Sequence, residues 1–378
     1  MRGALRRRTL STAAAIITLV VLVPACSQRS DRNPSDYPTR NWEPASADEL
    51  ARWSPAELAI ARARIEKLPN ASFMIIEGGH VVLEYGDLTA VSYLASIRKS
   101  VLAMLFGNYV AARTIDLDKN LRALDIDDVG GLTDDEKQAT VRDLLSARSG
   151  VYHAASNPGD DLVDAPGRGT QRHGTYFLYN NWDFNVLGTI FEQETKQDIY
   201  DAFEHDLARP LGMQDFKRSL QVKYNDSSKS RHAAYHIYLS TRDMARLGYL
   251  MLRNGEWRGR QLVPRTWVRE ITRVVTPLHR MNPEKRRSGR LGYGLLWWVF
   301  DGTYATGPYE GAYMARGALG QHITVLPKLD MVIVHKTRPG TDMIPQPDVK
   351  YPAVTVDEYL ELLDMIVRAR CGSLTTCR

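Results

Sequence analysis

The apolar positions of this chain form two short-period, β-rich blocks near its ends, with a longer region between them where they recur at helical spacing. Ser72 to Tyr85 (SFMIIEGGHVVLEY) reads as two strands around Gly78-Gly79, a pair suited to a tight hairpin turn. Gln321 to Leu326 and Met331 to Lys336 predict a second hairpin across Pro327-Lys328-Leu329-Asp330. A first helix begins after Ser54, with Pro55 in its first turn, Glu57 placed for a capping box, and Pro69 closing it. Further helices are expected over Ser96 to Ala112 and over Thr241 to Asn254, the second capped by Ser240. A last one is expected from Thr355 to about Arg370, where Val356, Tyr359, Leu360, Leu363 and Ile366 share a face. The order helix, hairpin, helical insert, strands, helix implies an α+β fold. One antiparallel sheet, built from both chain ends and flanked by helices, would carry an inserted all-helical subdomain, with the active site in the crevice between them.

The 378 residues, 44% hydrophobic and 25% charged, suit a folded enzyme. The formal charge is +5, but Arg2, Arg6, Arg7 and Arg8 supply four of it with no acid before Cys26. The remaining chain, at +1, has no charge case for nucleic-acid binding. Those arginines precede a charge-free stretch, Thr12 to Ala25, too short for a confident membrane span. Residues 1–25 therefore read as an export signal. Val23-Pro24-Ala25-Cys26 is similar to a bacterial lipobox, which would leave a lipid on Cys26 and an exported protein held at the cell envelope. Ordinary cleavage near Ala25, releasing a soluble protein, is the other outcome. Residues 26–50, polar with scattered prolines, are expected as a linker, and 51–378 as the domain, expected to be monomeric and with no internal repeat. Cys371 and Cys377 remain for a disulfide.

The candidate chemistry starts at Ser96-Ile97-Arg98-Lys99. Positions i and i+3 share a helix face, so the lysine amine can reach the serine hydroxyl. A serine is a weak nucleophile until a base takes its proton, and lysine is a base only when neutral. Lowering its pKa to near 7 costs about 4–5 kcal/mol, a task for burial or nearby cations. Tyr179-Asn180-Asn181 follows roughly 80 residues later. A tyrosine hydroxyl beside such a lysine can relay protons, and Asn181 can bond both the lysine and a substrate carbonyl.

S-x-x-K followed by Y-x-N resembles the serine β-lactamase and penicillin-binding protein superfamily, closest to its class C-related group of esterases, D-amino-acid peptidases and an amide-dimer hydrolase. TVRDLLSARSGV (from Thr140), LSTRDMARLG (from Leu239) and GYGLLWW (from Gly292) are similar to the same group. The resemblance implies Ser96 as nucleophile, with Lys99 and Tyr179 handling protons. It also implies an oxyanion hole from the amides of Ser96 and Ala318, beyond Gly317. No metal or organic cofactor is implied. The family's Lys-Thr-Gly is altered: Ala315-Arg316-Gly317 takes its place. Ala315 offers no donor, and in a regular strand Arg316 would turn to the other face. Neutral short esters are then expected to react far better than carboxylate-bearing β-lactams.

The expected function is hydrolysis of a small-molecule ester or amide through a Ser96 acyl-enzyme. The alternatives are a cell-wall D,D-carboxypeptidase or D-aminopeptidase, a β-lactamase, and a catalytically silent envelope binding module. His232 and His236 lack the glutamate of a zinc H-E-x-x-H motif, and there is no G-x-S-x-G. Gly159 to Gly169 is expected as a surface loop able to cover the site. Lys285-Arg286-Arg287 with Arg290 is expected as a solvated basic loop.

Overall fold

The computed structural model describes residues 37–157, 159–337 and 351–377. The expected signal, Cys26 and the first part of the expected linker lie outside the described residues. Seven strands form the main sheet: β1 (Asn70–Glu77), β2 (His80–Gly86), β3 (Leu291–Tyr293), β4 (Trp298–Phe300), β5 (Tyr313–Gly317), β6 (Gln321–Leu326) and β7 (Met331–Thr337). Their order is β2-β1-β7-β6-β5-β4-β3, antiparallel throughout. Both hairpins form where the pattern places them. Gly78 and Gly79 turn the first with φ of 63° and 102°, a region costly for residues with a Cβ. The register from Phe73↔His335 to Glu77↔Met331 joins the two ends of the chain in one sheet.

The five longest helices among the described residues are α1 (Pro55–Lys67), α2 (Ile97–Ala111), α3 (Asn181–Thr195), α4 (Thr241–Leu252) and α5 (Val356–Cys371). All but α3 follow the expected spans to within a few residues. The capping box expected on α1 is half made. Ser54 Oγ accepts from Glu57 N at 3.4 Å, but the Ser54 amide donates to Ala369 O at 2.7 Å. Packing against α5 has taken the donor that the Glu57 side chain would have bonded.

Alternation along β6 and β7 sorts the two faces of the sheet. His322, Thr324 and His335 face α5, where Tyr359 bonds Thr324 Oγ1 at 2.8 Å and stacks on His322 at 4.1 Å. Ile323 and Val332 face α4, against Gly248. A Cβ there would lie 2.6 Å from Val332 and 2.8 Å from Ile323, so the missing side chain lets helix and sheet approach. α2 is buried without a break from Ile97 to Gly107, as the core of the insert.

Two expectations need correction. The insert is not all-helical. Val222–Tyr224 pairs with Ala234–His236, Glu256–Trp257 with Arg260–Gln261, and Ser92–Tyr93 with Tyr238–Leu239. Nor is the described part of the linker, 37–50, a free spacer. Ala45 N donates to Val81 O and Val81 N to Glu43 O, both at 2.8 Å, covering the open edge of β2. Tyr37 is buried edge-on against Tyr249 and Trp257. A sheet edge and an apolar surface claimed residues whose composition alone reads as spacer.

Among the described residues no helix is long and apolar enough to cross a membrane. Cys371 and Cys377 are joined in a disulfide.

Candidate active site

Ser96 caps α2, yet its side chain makes no capping bond. An N-cap serine ordinarily spends its oxygen on the amides of the first turn. Here Ser96 Oγ instead accepts from Lys99 Nζ at 3.0 Å. Ala95, just before it, holds φ at 51°, a left-handed conformation that strains a residue with a Cβ. That turn brings the hydroxyl to the mouth of the crevice rather than along the helix.

Lys99 Nζ also donates to Tyr179 Oη at 2.7 Å and to Asn181 Oδ1 at 2.6 Å. Ser96, Lys99, Tyr179 and Asn181 are therefore brought together as expected. Burial, and after it the charge of Arg98, hold the Lys99 amine well below its ordinary 10.5, against the opposite pull of Asp160 and Asp161. Arg98 is itself 1% exposed, with its Nη2 on Asn185 Oδ1 at 2.8 Å and its guanidinium 4.3 Å from the Tyr235 ring centre. Burial raises the Tyr179 hydroxyl, although Ser96 and three arginines oppose it. Both shifts favour the uncharged forms, which are the ones an acid–base pair of amine and phenol uses.

The loop carrying Tyr179 is braced by the segment similar to the family around Thr140. Leu178 N donates to Ala147 O at 2.9 Å, Asn180 Nδ2 to Val151 O at 2.8 Å, and Ser149 Oγ to the buried Asp183 at 2.6 Å. The GYGLLWW segment holds α2 from the other side, through Ser100 Oγ on Leu296 O at 2.6 Å.

A cavity of about 170 Å³ opens over Ser96 and Tyr179, with Gly317 and Ala318 on one side and Asp160 and Asp161 on another. Gly317 approaches the turn before the nucleophile so closely that a Cβ would lie 2.3 Å from Leu94 O. The glycine of the altered triad is thus required by main-chain packing.

Three residues that pattern reading did not place complete the cavity: Arg286, Trp298 and Arg316. Register pairs Arg316 with His322, on the α5 face that alternation predicts. Its guanidinium nevertheless reaches the cavity wall, 4.6 Å from the centre of the Trp298 ring. Trp298 pairs with Met314 and so lies on that same face, which the cavity reaches, and the expectation that Arg316 leaves the site does not hold. Arg286 is not a solvated loop residue either. It enters the cavity and pairs with Asp161 at 2.6 Å, while Lys285 reaches outward to Asp164 at 2.8 Å. The loop from Gly159 does cover the site: Asp160 Oδ2 accepts the Asn181 amide at 3.0 Å. The run of three basic residues and the acids of that loop were the sequence signals for this pair, without a sign of which would meet. His232 bonds Thr189 and the Asp127 carbonyl, and His236 packs between Tyr93 and Tyr224; neither lines the cavity.

The chain matches the Beta-lactamase family model over residues 57–338. It belongs to the β-lactamase family. No curated protein matches it. Among solved structures, this β-lactamase-family chain is similar to a putative 6-aminohexanoate-dimer hydrolase from Bacillus anthracis, at 20% identity over 89% of each chain and a TM-score of 0.61. A penicillin-binding protein homologue from Caulobacter crescentus shows 15% identity over 84% of this chain and 98% of its own, with a TM-score of 0.55. EstCE1, a hydrolase with promiscuous acyltransferase activity, shows 15% identity over 76% and 93%, with a TM-score of 0.55. Identities this low carry the β-lactamase/transpeptidase-like fold and nothing finer.

Proposed function

We propose that this protein is a serine hydrolase that cleaves a small ester or amide through an acyl-enzyme on Ser96. The observation that carries the reading is the 3.0 Å contact from a buried, pKa-lowered Lys99 amine to the Ser96 hydroxyl. Neutral Lys99 takes the Oγ proton as Oγ bonds the substrate carbonyl carbon. The amides of Ser96 and Ala318, both at the cavity, receive the oxyanion. Tyr179 protonates the departing oxygen or nitrogen and recovers a proton from Lys99 across their 2.7 Å contact. Water then attacks the acyl carbon by the reverse route, and the Oγ–carbon bond breaks. Membership of the β-lactamase family supports the reaction class. The N-terminal pattern supports an exported protein tethered through Cys26.

Fluorophosphonate labelling tests the reading. Stoichiometric attachment to Ser96 is expected, together with hydrolysis of nitrophenyl esters. Ser96→Ala should abolish labelling and lower hydrolysis by several orders of magnitude, and Lys99→Ala nearly as far. The two act as a unit, so the double variant should be little worse than Ser96→Ala. A Ser96→Ala protein keeping more than about a tenth of the rate would put the nucleophile elsewhere.

A further inference from the structure

Arg286 and Arg316 approach one ring. Their guanidinium carbons lie 5.2 Å and 4.6 Å from the Trp298 centroid, and all three residues line the Ser96 cavity. They also line a second cavity of about 300 Å³ that runs out toward Arg290, Asp357 and Leu360. The two arginines differ in their partners. Arg286 holds a carboxylate of its own chain, Asp161, at 2.6 Å. Arg316 has no carboxylate within ion-pair distance among the described residues. The other cavity acid, Asp160, is engaged by the amides of Asn181 and Leu162. A part-buried guanidinium with no carboxylate in contact, only Asp357 and Asp161 at longer range, gains if a ligand brings one.

We infer that Arg316, backed by Arg286 across Trp298, is the subsite for a carboxylate on the substrate, so that the ester or amide this enzyme cleaves is an anionic one. The planar guanidinium presents a two-pronged donor matched to a carboxylate, and stacking on the indole fixes its plane. Arg286 already holds one carboxylate oxygen, Asp161 Oδ2, with Nε and Nη2, both at 2.6 Å. This assignment rests on the Ser96 hydrolase reading and specifies its substrate. It uses a residue at the middle of the altered triad and one from the loop around Pro283, in place of the lysine that Ala315 replaces.

The test compares matched esters on the full chain. One pair is 4-nitrophenyl hydrogen adipate and 4-nitrophenyl hexanoate, which differ by a carboxylate on the acyl side. The other is 3-carboxyphenyl butyrate and phenyl butyrate, which differ on the leaving side. In one pair the carboxylate ester should have a kcat/KM about tenfold or more above its neutral partner, expressed mainly in KM. That ratio should fall to about one in Arg316→Met and be partly kept in Arg316→Lys. Ratios near or below one for both pairs in the wild type overturn the subsite. So does a ratio that survives in both Arg316→Met and Arg286→Met. Fluorophosphonate labelling separates the two levels and certifies folding of each variant. If Ser96 does not label, the hydrolase reading fails. If it labels and the ratios are flat, the subsite alone fails. Should Arg316→Met not fold, free adipate must slow labelling of the wild type and do so less in Arg316→Lys; equal rates with and without adipate overturn the assignment.

Discussion

The backbone of Gly317 faces the carbonyl oxygen of Leu94 with no room for a side chain, since a Cβ would come within 2.3 Å of it and 3.1 Å of the Ala95 Cβ. The end of β5 and the turn that presents Ser96 are therefore one packed unit. Gly317→Ala should push these segments apart and misalign the two amides proposed to hold the oxyanion. A loss of about a hundredfold or more in kcat is expected, with KM changed less. Steady-state kinetics on a nitrophenyl ester measures it. A variant within threefold of wild type would show that the close approach is not needed for catalysis.

The charge of Arg98 stands second to burial in lowering the pKa of Lys99. Lys99 is a base only when deprotonated, so kcat/KM should fall as pH drops through its pKa. Arg98→Met removes a cation and lets Lys99 keep its proton to higher pH. The acid limb should move to higher pH, so activity falls more on the acid side of the profile than on its plateau. A full pH profile of both proteins, with a thermal melt to verify folding, checks this. An unmoved limb would leave Arg98 a packing residue only.

Lys336 is 1% exposed and bonds only carbonyls that face it, Leu239 O at 2.6 Å and Ala90 O at 3.3 Å. Burial pushes its pKa down to about 7, against the pull of Asp243, Asp87 and Asp215. Below pH 7 both folded and unfolded chains carry the proton; between about 7 and 10.5 only the unfolded one does. Stability from this group therefore rises with pH across that window, by an amount on the order of 5 kcal/mol at its upper end. Urea midpoints at pH 7 and 9.5 should show a gain in the wild type that Lys336→Met largely lacks. Equal gains in the two proteins would sink the assignment.

A lipid on Cys26 would hold the protein at a membrane through its buried methylenes, at about 0.8 kcal/mol each. Cys26→Ser should move the protein from the membrane fraction to the soluble fraction. Wild-type protein found soluble, with no added mass at its N-terminus, would remove the tether.

Much of the frame was legible before any coordinates. The Gly78-Gly79 hairpin, the β6–β7 hairpin, the Thr355 cap of α5 and the Ser96–Lys99 pairing all depend on residues a few positions apart, where period and turn chemistry speak directly. Tyr179 and Asn181 were legible at a distance only because their motif resembles that of a known family. The linker reading failed over 37–50 because composition says nothing of whether a sheet edge is waiting for a partner. The solvated-loop reading failed at Arg286, since Lys285 beside it does face outward.

Sequence by itself determined the two hairpins, four of the five longest helices and the residues proposed for acyl transfer, because these follow from local spacing and intrinsic side-chain chemistry. Tertiary structure alone decided what surrounds that chemistry. Arg286 meets Asp161, 125 positions away in sequence, and strand pairing brings Arg316 beside Trp298. No period encodes such a meeting: the head of a long side chain goes where burial and charge favour it, and those fields exist only once distant segments are packed together.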